Sequence, residues 1–100
     1  MKGILVDPER NSISEIDIGN DTDIASVIGY DTIIADEINN SSDRLHFDEE
    51  CFIRGTKGRF QLDTLPPVSG KAIILGTSED RNTDAALSIA ELESRIKFLT

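Results

Sequence analysis

The sequence predicts an α+β domain, a mostly antiparallel sheet with a short helix and a C-terminal helix packed on one face. Three observations predict it. Short alternating apolar segments separated by turn residues recur as far as Leu62, which is the mark of hairpins. A strongly apolar run, residues 71–75, reads as a central strand. A capped apolar stripe closes the chain and reads as a helix. Hairpin connections make neighbouring strands antiparallel, and helices that follow such strands cover a face of the sheet.

Each element has its own warrant. Residues 3–6 form a short strand, and Asp7-Pro8-Glu9-Arg10 follows with Asp and Pro at the first two positions of a type I turn. Ile16 and Ile18 alternate with Asp17, completing an N-terminal hairpin. The polar break at residues 19–23 is rich in N-cap residues. Ile24, Val27 and Ile28 then have helical spacing, and Gly29 suits the left-handed residue that ends a helix. Residues 30–38 resume as a strand, with Ile33 and Ile34 adjacent and expected to be covered on both faces.

A polar turn at residues 39–43 leads to Leu45 and Phe47, which alternate. Asp48-Glu49-Glu50 reads as a hairpin tip or bulge, because like charges are poor neighbours within a ladder. Cys51-Phe52-Ile53 is expected as the next strand, paired through the loop Gly55-Thr56-Lys57-Gly58 with the strand holding Phe60 and Leu62. Residues 63–70, with Pro66-Pro67, read as an extended connection without a strand. Residues 76–86 read as a polar, mobile loop. Ser88 and Glu91 then form a capping-box pair, and Ile89, Leu92, Ile96 and Leu99 make one stripe of a terminal helix.

One hundred residues make one domain, residues 1–100, with a light aliphatic core of Ile and Leu and no Trp. Cys51 is the single cysteine, so no internal disulfide is implied. The N-terminal apolar run is too short for a signal peptide, and no stretch approaches a membrane span. A soluble, cytoplasmic protein with no membrane partner is the expectation.

Charge is divided along the chain. Residues 1–50 carry thirteen acids and three bases, a net of −10, whereas residues 51–100 carry six acids and seven bases, a net of +1. The whole chain stands at −9. Such a field favours basic partners and opposes direct nucleic-acid binding.

The segment 65–77, LPPVSGKAIILGT, followed by a polar loop and a capped terminal helix, resembles small phage- and plasmid-encoded proteins of domain of unknown function family 3846. Leu5-Val6-Asp7-Pro8, the helix ending at Gly29 and Asp43-Arg44-Leu45-His46-Phe47-Asp48-Glu49 match that family in order. Leu62-Asp63-Thr64-Leu65-Pro66 stands where the family often has an aromatic-rich Gly-Tyr-Pro stretch. The resemblance implies a mobile-element origin and a host-cell setting. It implies no reaction.

No catalytic constellation is present. Gly70-Lys71 lacks the earlier glycine of a phosphate-binding loop, where Leu65 stands, and the following hydroxyl, where Ala72 stands. His46 is the sole histidine and is expected at a strand surface or rim, and Cys51 has an acidic neighbour that disfavours a thiolate. An enzyme is not expected, and no cofactor or metal is implied. Asp36, Glu37, Asp48, Glu49 and Glu50 are the candidate surface for a basic host protein, in an inhibitor or adaptor of a mobile element. The alternative is an anion-binding cluster of Arg54, Lys57, Arg59 and Lys71 that sequesters a metabolite or nucleotide. The same basic loop could face the acidic half of a second copy in a homodimer.

Overall fold

The computed structural model describes residues 1–99. Strands β1 (Lys2–Asp7) and β2 (Ser12–Asp17) form the first hairpin, with Asp7 opposite Ser12. The Asp7 carboxylate accepts the Glu9 N–H at 3.1 Å, so the turn is held by the residue that starts it. Helix α1 (Asp21–Ile28) is capped by Asn20 in a capping box with Asp23 and ends at Gly29, whose φ of 97° is left-handed. Strands β3 (Ile33–Glu37) and β4 (Asp43–Asp48) form the second hairpin, and β5 (Arg59–Leu62), β6 (Val68–Ser69) and β7 (Ala72–Ser78) follow.

The main sheet runs β2-β1-β7-β4-β3, all antiparallel. β7 is the centre, as its apolar sequence predicts. Alternate β7 residues feed two cores. Ala72 and Ile74, with Ile4, Val6, Leu45 and Phe47, pack on a small second sheet that contributes Phe60, Leu62, Val68 and Ile96. Ile73 and Leu75 pack with Ile18 and with Ile24 and Ile28 of α1.

Several expectations are corrected. The two helices do not share one face: α2 (Ile89–Glu93) places Leu92 in the first core, and α1 lies in the second. Neighbouring residues of one strand point to opposite sides, so a light sheet with apolar residues on both faces needs cover on both. The C-terminal stripe is split. The capping box of Ser88 and Glu91 is present, but the helix stops at Glu93, and β9 (Ile96–Leu99) pairs with β5. The break is fastened by Arg95, whose Nε donates to both Asp63 oxygens at 3.0 and 3.1 Å. Cys51–Ile53 is a 3-10 turn and not a strand, so β5 pairs with β6 and β9 instead. The supposed mobile loop contains β8 (Arg81–Thr83), which folds back on β7.

The short α2 depends on its cap. Ser88 Oγ accepts the Glu91 N–H at 3.1 Å, and Glu91 accepts the Ser88 N–H at 3.2 Å. Ser88→Ala is expected to cost about 1 kcal/mol, read as a lowered denaturation midpoint at unchanged slope.

Candidate functional site: an acidic edge strand

The candidate residues fall into three groups once the chain is folded. The first is an internal knot at the end of β4. Asp48 is 2% exposed, and its carboxylate accepts from the Thr32 hydroxyl, the Glu50 N–H at 3.0 Å and the Arg54 Nε at 3.0 Å. Arg54 also donates to Thr32 Oγ1 at 3.0 Å and to Glu50 at 3.1 Å, and lies 4.3 Å from the Tyr30 ring centroid. Burial alone would raise the Asp48 carboxyl. The Thr32, Arg54 and Glu50 donors outweigh it and hold the carboxyl below its ordinary value.

Two assignments made from sequence are therefore corrected. Asp48 is not part of an acidic surface, and Arg54 is not a free anion ligand. They were six residues apart in the chain and neutralise one another across the 3-10 turn. Glu50 is exposed but paired with the same guanidinium. Of the anion-binding set, Lys57, Arg59 and Lys71 remain exposed. Arg59 lies over Phe52 at 5.1 Å, so part of that group is committed to an exposed aromatic ring.

The second group is His46, 7% exposed and in register with Ile73 on the α1 side of the sheet. It is therefore buried rather than at a rim. Its Nε2 has no hydrogen-bond partner among the described residues. Burial holds the imidazole below the ordinary histidine value of 6.5, against the pull of the Asp21 carboxylate and with the help of Arg44. The folded chain resists a proton that the unfolded chain accepts. Stability is then present above the unfolded value of 6.5 and is lost as pH falls below it towards the lower folded value. His46→Leu is expected to flatten that window in a denaturation series. The Asp48 contribution, also from a depressed value, is lost only at more acid pH, below about 4.

The third group is the outer strand. β3 is an edge of the main sheet, bonded only to β4. Ile34, expected to be covered on both faces, is 37% exposed there. The Ile38 N–H donates to Asp43 O at 3.1 Å and the Glu49 N–H to Thr32 O at 2.7 Å. In an antiparallel ladder this phase turns the backbone groups of Thr32, Ile34 and Asp36 towards β4 and those of Ile33, Ala35 and Glu37 outward. The Ile33 N–H is used locally by Asp31 O. The Ala35 and Glu37 N–H groups and the Ile33, Ala35 and Glu37 carbonyls have no partner among the described residues.

Carboxylates surround this open edge. Asp31, Glu37 and Glu49 are exposed and Asp36 is half-buried, and none forms an ion pair among the described residues. Arg44 stands opposite Glu37 in register but outside ion-pair distance, and Asp36 stands opposite Leu45. The local field is negative and unspent. At the other end of the sheet, β2 differs: α2 packs against it, and its Glu15 meets Lys2 at 3.8 Å. Sequence reasoning found Asp36, Glu37 and Glu49 but missed Asp31 and the backbone edge, because strand order is not written in local periodicity.

No helix among the described residues is long and apolar enough to cross a membrane, and no three His, Cys, Asp or Glu side chains among them gather as a metal-binding group. No family model, curated protein or solved structure matches the chain.

Proposed function

We propose that this protein is a non-enzymatic adaptor or inhibitor, carried by a mobile genetic element, that binds a basic surface of a host protein through the acidic β3 edge. The observation that carries the proposal is the set of unpaired carboxylates, Asp31, Asp36, Glu37 and Glu49, around a sheet edge with free backbone groups. Unpaired carboxylates beside unspent backbone groups favour a partner that brings both positive charge and hydrogen-bonding groups. The resemblance of the 65–77 segment to phage- and plasmid-encoded proteins supports the host setting.

Capture from a bacterial lysate tests it. The wild-type chain should retain basic proteins at about 0.05 M salt and release them near 0.5 M, because exposed charges are screened over that range. The triple variant Asp36→Asn, Glu37→Gln, Glu49→Gln should retain far less at low salt. Equal retention by wild type and variant would overturn the proposal. The anion-binding alternative gains no support from the fold, since Arg54 is committed to Asp48.

A further inference from the structure

Resting on the adaptor reading, we infer that β3 binds its partner by strand addition: it takes an extended basic segment of another protein as a sixth strand, antiparallel, along the row β2-β1-β7-β4-β3. The free groups dictate the geometry. A residue placed opposite Ala35 would exchange two backbone hydrogen bonds with it, and residues two positions away on either side would meet Ile33 and Glu37. Antiparallel addition continues the sense of every pairing in the main sheet.

Side chains then set a preference. In antiparallel register, successive partner residues stand opposite Glu37, Asp36, Ala35, Ile34 and Ile33. The first two positions call for Lys or Arg, because cross-strand opposite charges stabilise and like charges oppose. The last two call for apolar residues, since Ile34 is exposed and Ile33 half-buried. The recognised pattern is therefore basic-basic-any-apolar-apolar, read from N to C. Glu37 would be sandwiched between Arg44 on one side and a partner cation on the other, a charge ladder across three strands.

A second copy of this chain is a poorer occupant. A symmetric β3–β3 pair centred on Ala35 would set Ile34 against Asp36 and Ile33 against Glu37. It would also bring together two edges that each carry Asp31, Asp36, Glu37 and Glu49. Edge carboxylates of this kind are a known guard against self-pairing, while a basic strand relieves the same field.

The test uses the full chain labelled for amide NMR and a capped peptide containing KKTVV as the probe. The expected result is movement of the Ile33 to Glu37 amide signals and severalfold slower solvent exchange at Ala35 and Glu37. Methylating the backbone nitrogen of the probe's Thr keeps every charge and side chain but removes the hydrogen bond that Thr donates to the Ala35 carbonyl, one of the two exchanged there. That probe should bind about tenfold more weakly or worse. On the protein, Ala35→Pro removes an outward N–H that serves no internal bond, a position at which an edge strand tolerates proline. It should stay folded and lose the probe. Equal binding of both probes would overturn strand addition and leave the acidic-surface reading intact. Absence of any shift with KKTVV, beside a charge-dependent lysate capture, would do the same. Failure of both the probe and the capture would overturn the two together.

Discussion

Phe60→Ala is expected to lower the unfolding free energy by about 3–5 kcal/mol. Phe60 is the largest fully enclosed side chain and is 0% exposed. It sits on β5, in register with Val68 on one side and Phe98 on the other, and faces the core built from Ile4, Val6, Ala72 and Ile74. The small sheet is held together by only six cross-strand residue pairs, so its attachment rests on this ring and on Leu62, Ile96 and Leu92. A domain of this size has a total of about 5–15 kcal/mol, and the melting temperature should fall by about 12 °C or more. A shift of a few degrees would mean that the small sheet is not packed on the large one. Phe60→Leu, which keeps much of the volume, should recover a large part of the loss.

The second large effect is expected at Asp43, which the sequence placed in a polar turn. Its carboxylate is 1% exposed and accepts the Ala86 N–H at 2.9 and 3.0 Å and the Leu87 N–H at 2.8 Å. One acid at the start of β4 thereby ties down the strap between β8 and α2. Gly76 stands opposite Asp43 in β7, and a Cβ there would lie 2.4 Å from Asp84 O and 3.3 Å from Asp43 Oδ1. The strand has no side chain where the strap crosses it. Asp43→Ala leaves two backbone donors without acceptors, an expected cost of about 2–4 kcal/mol. Hydrogen exchange should locate it, with the Ala86 and Leu87 amides losing protection first. Asp43→Asn keeps one acceptor oxygen and should fall between the two. Exchange rates at Ala86 unchanged in Asp43→Ala would remove Asp43 from this role.

Where chemistry is local, the sequence announced it. The Asp7–Pro8 turn, an N-cap within residues 19–23, the Gly29 stop and the Ser88–Glu91 box each involve residues within a few positions of one another, and each forms as predicted, with Asn20 as the cap. Where two periods fit the same residues, the sequence misled. Ile89, Leu92, Ile96 and Leu99 suit a helix, but Ile96 and Phe98 also suit a strand, and pairing with β5 decides for the strand. β8 was hidden for a different reason. Its two-residue turn is Glu79-Asp80, with φ of 50° and 61°, a type I′ geometry that normally advertises itself with Asn or Gly. At the site, the acids were legible as charge but not as partners. Nothing in the spacing of Asp48 and Arg54 distinguishes an internal pair from two surface groups. That β3 is an edge follows from β7 inserting between β1 and β4, a fact of topology.

That insertion also governs how the chain reaches its fold. β1–β2 and β3–β4 are local hairpins that close quickly. β7 alone joins them, and it pairs Ile4 with Ile74 and Leu45 with Ile74 only after most of the chain has been made. Until then each hairpin presents an uncovered apolar face and two open edges, the state in which β proteins aggregate. The first fifty residues, which wait longest, carry the net charge of −10. Like charge of that size opposes contact between two such hairpins while the central strand is still missing. The charge that marks the N-terminal half of the sequence therefore also bears on the assembly of the fold.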